Sequence, residues 1–517
     1  MADRLSNFLR TFLYTPRQKL VAALIALVVV GVPLGYGIKS VTTPEDRSCA
    51  PGVARPQDSD ECVGVATAGD GYAFGLPDLA EIAGRIGAEN ATLKPDEYAT
   101  VAVLLPYTST DPGMRVKVLH ETQGAYARQY RANHESNSET PKIRLVLANS
   151  GKNNAHWQSV VEQLKAMTDA PHRLRVVTGI ATSSDPIRGT VAALTGAGIA
   201  VVGTTITADD IADGPGAAHD RYPGLARVSP TNNDEAKALA HFGKVNAGKA
   251  LLVQDTRNGD HYTDTLKSAF AASLKGAPYE PQLFTSPADP TDEGNTANTF
   301  RQITHLICDT RAETVFFAGR HTQLRQFINA LGARGCAERS FTVLTGDEGS
   351  YLGADKLLDR QALKNRLTVR YASLAHPDAW LPAPGRPVPA TGGSTVAYQT
   401  FVTDIARASA KPVALADGQA IVAYDAMATA VHAIRQATPD NAAHPDLADV
   451  RTQWPQVKGS LRVEGAGGWI CLDNYGNPYN KAVPIVQLAQ DGSQRFVAIA
   501  WPEGAPPATS CLPPRRG

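Results

Sequence analysis

The chain has 517 residues, of which 43% are hydrophobic and 19% charged, and its 50 lysines and arginines balance 50 aspartates and glutamates. That length exceeds what one compact core organises, so two or three globular units are expected, and the apolar content excludes intrinsic disorder. Zero net charge leaves no field to draw in nucleic acid or anionic lipid, and neither is expected as a partner.

The first forty residues are a different material. Arg4, Arg10, Arg17 and Lys19 precede LVAALIALVVVGVPLGYGI, residues 20–38, which carries no charge. It is long enough to cross the ~30 Å hydrocarbon layer as a helix. Lys39 follows, then Glu45 and Asp46, so the cationic excess lies before the span. The positive-inside rule then places the N-terminus in the cytoplasm and the bulk of the chain outside. A cleaved signal peptide is the rival reading, but GVPLGYGIKS offers no clear small-x-small cleavage site and no lipid-accepting cysteine. The expected order is a cytoplasmic tail over 1–19, a transmembrane anchor over 20–38 and an extracytoplasmic linker with one helix over 39–97. The helix is PDLAEIAGRIGAEN, with Pro77 at its first turn and Leu79, Ile82 and Ile86 at helical spacing.

Six cysteines, Cys49, Cys62, Cys308, Cys336, Cys471 and Cys511, all follow the span. No CxxC or paired Cys/His spacing exists, so no metal is expected and an oxidising compartment explains them better. Six cysteines allow fifteen pairings on paper; locality favours Cys49–Cys62, Cys308–Cys336 and Cys471–Cys511.

From residue 98 short apolar runs alternate with helical patterns: ATVAVLLPY, a helix around GAYARQYRAN, KIRLVLANS, AHWQSVVEQLKAM, LRVVTGI, IRGTVAALTGA and GIAVVGTT. This rhythm predicts parallel strands joined by crossover helices. It pauses at LARVSP and restarts with KALLVQD, TDTLKSAFAASLK, TVFFAGR, QLRQFINALGARG and FTVLTGDEGS. A second crossing is expected at RLTVRYASL, followed by a Pro- and Gly-rich segment and the helices YQTFVTDIARASA and GQAIVAYDAMATAVHAIRQA. The final strands are read as a hairpin with turn residues at Asn474 and Gly476. The fold class expected is therefore α/β: two Rossmann-like lobes with parallel-sheet cores joined by hinge crossovers, plus one N-terminal transmembrane helix. Lobe I takes 98–228, lobe II 229–368, a return to lobe I 369–455, and C-terminal strands and tail, mainly lobe II, 456–517. Val228–Pro230 and Leu367–Tyr371 are the candidate hinges.

Most chemical signatures fail. Gly243 to Ala250 comes close to a phosphate-binding loop, but Ala250 replaces the hydroxyl that would hold Mg²⁺ and the segment precedes its strand. No GxSxG, HExxH or GxGxxG is present, and the 12 histidines are scattered. No catalytic residue and no cofactor is therefore expected, although a serine nucleophile such as Ser184 with a distant histidine is a possible arrangement in principle. What stands out is a pair of hydroxyl clusters, Thr182-Ser183-Ser184 after VVTGI and Thr204-Thr205 with Thr207 after IAVVG. Ligands of open parallel sheets collect at the carboxyl ends of strands beside helix N-termini, where free N–H groups and hydroxyls grip a carboxylate. Helix capping is the plainer role for the same residues. Two clusters on neighbouring strand ends, facing a second lobe that ends in Asp347-Glu348, favour a site.

The segments VAVLLPYTST, GIATSSDP, GIAVVGTTIT, ARVSPTNNDEAKALA, LLVQDTRNGDHY, TGDEGS and AIVAYDAMATAVHAI, in this order and spacing, resemble the type I periplasmic binding proteins, in particular their branched-chain amino-acid-binding branch related to receptor ligand-binding domains. The resemblance covers roughly residues 98–500. It implies a two-lobed clamp without catalysis, in which Ser184 (beside Ser183), Thr205 and Thr207 hold an amino acid's carboxylate and Glu348, with Asp347 beside it, holds its ammonium. Tyr262 and Tyr107 are the aromatic candidates for the pocket. The usual second aromatic position is taken by Arg320, which would favour a further anionic group on the ligand. The implied partners are an amino-acid-like small molecule and a membrane permease, for an ABC-type transporter. The alternatives are a ligand-sensing ectodomain acting through a signalling subunit and a hydrolase.

Overall fold

The computed structural model describes residues 46–514 apart from 137–138, 212–221, 290–291 and 441, together with a few positions between 15 and 24. The expected anchor, 20–38, lies almost wholly outside the described residues; among those described, no helix is long and apolar enough to cross a membrane. Residues 1–48 and 49–517 form separate units, and the account below concerns the second.

The first lobe is built on strands β1 (Ser48–Ala50), β2 (Val53–Ala54), β3 (Val63–Val65), β4 (Tyr98–Leu105), β5 (Lys142–Asn149), β6 (Leu174–Gly179), β7 (Ala200–Gly203) and β8 (Leu225–Arg227), in the order β1-β2-β3-β5-β4-β6-β7-β8. Its helices are α1 (Pro77–Asn90), α2 (Pro112–His134), α3 (Trp157–Lys165) and α4 (Asp185–Gly196). All eight residues of β4 are buried because both faces are covered. Ala99, Val101, Val103 and Leu105 point into one core layer and Ala102 and Leu104 into the other. That is the period-2 alternation of a strand whose two sides are equally apolar.

The second lobe opens with α5 (Asn232–Gly243) and continues with β9 (Ala250–Asp255), α6 (His261–Ser273), β10 (Gln282–Phe284), α7 (Thr296–Asp309), β11 (Thr314–Ala318), α8 (His321–Gly332), β12 (Phe341–Thr345) and β13 (Leu367–Ala372). Val315 and Phe317 pack on one face of its sheet, Phe316 and Ala318 on the other. The chain then returns to lobe I as α9 (Thr395–Ala408) and α10 (Gln419–Ala437). Helix α10 is buried along almost its whole length, and its Ala420, Tyr424, Met427 and Val431 share a core layer with Val118 and Ala125 of α2.

After the short α11 (Leu447–Arg451) come β14 (Val463–Gly465), β15 (Gly468–Ile470), β16 (Val483–Leu488) and β17 (Gln494–Ala500). Strands β16 and β17 extend the second sheet, whose order is β10-β9-β11-β12-β13-β16-β17. The final segment thus holds two strand hairpins with a bridged turn between them. One turns through Gly465–Gly468, the other through Ala489–Ser493. Asn474 and Gly476 lie, as the sequence predicts, in a tight turn closed by the antiparallel Leu472–Pro478 bridge, with Asp473 N donating to the Asn477 carbonyl at 2.8 Å; Gly476 adopts φ +76 there, and the backbone presses on Leu225 of lobe I, where any side chain would clash. The β14–β15 hairpin packs with lobe I, because Val463 and Ile470 belong to the α2–α10 core.

A correction concerns the hinge. Leu367–Tyr371 cannot flex, since β13 is an inner strand bonded to β12 on one side and β16 on the other. The lobes are joined instead at Val228–Thr231, at Ser373–Ala375 and between Leu472 and Val483. The near-phosphate-loop is a helix end: α5 stops at Gly243, Lys244 caps it in the left-handed conformation, and β9 starts at Ala250. Disulfides join Cys49–Cys62, Cys308–Cys336 and Cys471–Cys511, the three pairs that locality predicts.

The α2–α10 contact is close enough to exclude a side chain at Gly124, where an added Cβ would sit 2.0 Å from the Ala420 carbonyl oxygen. Backbone blocks backbone there, so Gly124→Ala should destabilise the protein by about 1–3 kcal/mol. Guanidinium unfolding should show a lower midpoint for the variant; an unchanged midpoint would contradict this packing.

Candidate functional site

Two turns in lobe I aim polar groups at the second lobe. After β6 the chain takes Ile180 and Thr182 at φ +50 and +76, then enters α4 with Ser184 at the N-cap and Pro186 in the first turn. Left-handed backbone at β-branched residues costs on the order of 1–3 kcal/mol each and is retained where surroundings hold it. Ser184 does not cap its own helix; its hydroxyl is buried and has no partner. Asp111 caps α2 by accepting from Met114 N at 2.6 Å. In lobe II, Asp260 caps α6 and Arg320 stands at the N-terminus of α8.

The lobes meet around a cavity of about 290 Å³. Lobe I contributes Asp111, Asn154, Thr182 and Ser184, and lobe II contributes Arg257, Asp260, Arg320, His321 and Glu348. A far smaller space of about 10 Å³ is bounded by Lys117, Ser183, Thr205, Thr207, Tyr262 and Asp347. It has room for about one water molecule. Arg320 and Glu348 line both.

Arg320 organises this region. It is 8% exposed. Its Nε and Nη2 donate to the two oxygens of Asp260 at 2.8 and 2.7 Å, its Nη1 donates to Glu348 at 2.8 Å, and its Nη2 also reaches the Ser183 carbonyl of lobe I at 3.2 Å. The guanidinium lies 4.7 Å from the centre of the Tyr262 ring. The other oxygen of Glu348 accepts from the backbone N of His321 at 3.0 Å and from its Nδ1 at 2.6 Å. His321 is stacked on Tyr351 at 4.5 Å and lies 3.6 Å from Asp111 of lobe I.

Burial alone would raise the Glu348 carboxyl, but the Arg320 charge and the His321 bonds outweigh it and hold it well below the ordinary range. Burial also works against protonated His321; Asp111 and Glu348 overcome it and push the imidazole up to about 9. Asp260 is held low, burial being outweighed by Arg320 and Arg257. Asp347 behaves oppositely. Burial and the neighbouring Glu348 charge push it up to about 7. One of its oxygens has no partner, and its backbone N donates to Glu235, which burial raises strongly.

The hydroxyl clusters divide by function. Ser183 Oγ accepts from Ala208 N at 3.2 Å, a local tie. Thr205 Oγ1 accepts from Lys117 Nζ at 2.8 Å, and that ammonium also contacts Gln419 at 3.0 Å and Glu121 at 2.9 Å. Thr207 Oγ1 is buried without a partner. Ser183, Ser184, Thr205, Thr207, Tyr262, Arg320, Asp347 and Glu348 are therefore all brought to one interlobe region. Tyr107 is not. It is fully buried, stacked on Phe74 at 5.3 Å with its hydroxyl 3.0 Å from Thr122, and it borders neither cavity. Phe74, from the segment preceding lobe I, covers the ring and makes it part of the core.

Sequence reasoning missed Lys117, Asp111, Asp260, Arg257 and His321. Lys117 and Glu121 had a readable signal, an i,i+4 pair on the buried side of α2. The others depend on the lobes meeting. Further interlobe ties are His261 Nε2 to Asp185 at 3.0 Å, His261 Nδ1 to Asp210, and Lys152 to Asp289 at 3.0 Å.

The folded-state value of His321 lies above the 6.5 of a free imidazole, so its stabilising contribution is complete below pH 6.5 and is lost as pH rises through about 9. The difference amounts to at most about 3 kcal/mol. Thermal unfolding midpoints of the parent and of His321→Gln should differ most at pH 6 and converge by about pH 9.5; a gap that stays constant with pH would contradict the protonated assignment.

No protein-family model matches the sequence, and no match is found among curated proteins. Solved structures do resemble it. A substrate-binding protein of an ABC transporter from Desulfitobacterium hafniense in complex with leucine shares 17% identity, covers 78% of this chain and 100% of its own, and superposes with a TM-score of 0.56. A leucine-binding protein from Thermotoga maritima matches at 16% identity, 79% and 100% coverage and TM-score 0.55. A solute-binding protein from Rhodopseudomonas palustris in complex with p-hydroxybenzoic acid matches at 14% identity, 78% and 96% coverage and TM-score 0.57. The chain has the two-lobed α/β fold of the type I periplasmic binding proteins of ABC transporters.

Proposed function

We propose that this chain is an extracytoplasmic solute-binding protein that closes two lobes over a small molecule bearing a carboxylate and presents it to a membrane permease. The observation that carries this reading is the interlobe cavity of about 290 Å³ with the unused Ser184 hydroxyl at the N-terminus of α4. A helix N-terminus offers free N–H groups and partial positive charge to an anion, and an unpartnered hydroxyl beside it completes the grip. Three disulfides fit an oxidising compartment outside the cytoplasm. Residues 20–38 tether the protein to the membrane in this reading, on the strength of their uncharged length and preceding positive charges.

The mechanism needs no bond making. A ligand that touches both lobes has higher affinity for the closed state and shifts the population toward it, the connections at Val228–Thr231 and Ser373–Ala375 absorbing the rotation. Lys152–Asp289 and His261–Asp185 then form at the rim of the cleft, while the Arg320 contact to the Ser183 carbonyl forms at its floor.

Thermal-shift screening of the full chain against small carboxylates should yield a stabilising ligand, because selective binding to the native state raises stability by RT ln(1 + [L]/Kd). Ser184→Ala should weaken that ligand by about tenfold or more, the worth of a hydrogen bond to a charged group. Unchanged affinity in the variant would remove Ser184 from the site.

A further inference from the structure

We propose that His261 is a proton-binding latch across the cleft: an imidazolium held by Asp185 and Asp210 of the opposite lobe, so that closing the lobes takes up a proton. This step rests on the solute-binding reading and adds a proton to it.

His261 is the first residue of α6 in lobe II. Its Nε2 lies 3.0 Å from Asp185 at the start of α4, and its Nδ1 is bonded to Asp210 in the turn after β7, so both ring nitrogens meet carboxylates of lobe I. A neutral imidazole has one N–H and one lone pair, and an ionised carboxylate only accepts. Both bonds therefore exist together only when the ring carries its second proton.

The latch is also built to open. The imidazole is 8% exposed, whereas the Asp185 and Asp210 side chains are 58% and 38% exposed. Asp185 accepts as well from Arg188 of its own helix at 2.7 Å. Separating the lobes thus leaves both carboxylates in water, one of them with its arginine, and lets the imidazole shed its proton. No unpaired charge stays buried, which is what makes breaking other buried ion pairs costly. His321 differs, because its Nδ1 is bonded to Glu348 of its own lobe, a partner that does not depend on closure.

The remaining charges on the elements around His261 are engaged elsewhere. Asp209 of the same turn accepts from Asn233 N at 3.1 Å, and on α5 Glu235 accepts from Asp347 N at 3.1 Å while Asp234 has Asp209 and Lys237 as its charged neighbours. Asp255 at the end of β9 is bonded to Ser286, Asp260 to Arg257, and Asp264 to Lys267. The Asp210 and Asp185 bonds outweigh burial and the Arg188 charge and raise His261 above the 6.5 of a free imidazole. The latch is therefore complete below pH 6.5 and is lost as pH rises through the raised closed-state value. One proton taken up on closing changes the ratio of closed to open by at most about tenfold per pH unit.

The test follows the interlobe distance in the full chain, held in detergent micelles. All six cysteines are in disulfides, so Ala192→Cys on α4 and Ala271→Cys on α6, both at exposed positions, supply the free thiols for two nitroxide labels. Double electron–electron resonance then reads the closed and open populations. The closed-to-open ratio should fall by about fivefold or more between pH 6 and pH 8, and His261→Gln and Asp185→Asn should each lose most of that fall. Asp185→Asn leaves the imidazole in place and so separates loss of the latch from a folding defect at His261. Two populations whose ratio ignores pH, or a pH response that His261→Gln keeps in full, overturn the proposal and leave the solute-binding reading intact. A single distance at every pH overturns the proposal too, and it overturns that reading as well if the panel of small carboxylates leaves the distance unchanged.

Discussion

The arrangement of the cleft depends on one guanidinium. Arg320 lies between Asp260 and Glu348, over the ring of Tyr262, and reaches across to the Ser183 carbonyl of the other lobe. With protonated His321 added, two carboxylates and two cations form a buried group of zero net charge. Removing four charges from water is unfavourable, and only bidentate geometry and full bonding of the oxygens compensate for it. Each member therefore has little freedom to serve a ligand without disturbing the other three.

This constraint changes what the shared fold implies. A clamp for an amino acid needs a hydroxyl-lined seat for the carboxylate on one lobe and an open acid on the other. Here the Ser184 hydroxyl has no partner, Glu348 is bonded to Arg320 and His321, and Thr205 is bound to Lys117. The same cluster also bridges the lobes, since His321 faces Asp111 and Arg320 touches Ser183.

Much of the architecture was legible in the sequence because it follows from periodicity. Both faces of the sheets are covered, so strands read as continuous apolar runs and crossover helices as 3.6-residue patterns; the helix Pro77–Asn90 was readable to its ends from Pro77 and the spacing of Leu79, Ile82 and Ile86. The hydroxyl clusters were legible for a related reason, since strand ends in a parallel sheet share one edge. What failed was tertiary. Leu367–Tyr371 reads as a strand that leaves the lobe, but antiparallel β16, distant in sequence, holds it in place. Tyr107 stands at a strand end like a ligand contact, and only the packing of Phe74 makes it core. The partners of Arg320 come from three separate loops, and no local pattern announces that they converge.

A double-mutant cycle between Arg320 and Glu348 examines the central pairing without reference to any ligand. Arg320→Met, Glu348→Gln and their combination would be compared by denaturant unfolding at pH 7. The account predicts a coupling energy of about 2 kcal/mol or more, as for a buried charge pair in direct contact. Additivity within about 0.5 kcal/mol would show that Glu348 is not engaged by Arg320 and is open to a ligand's ammonium after all.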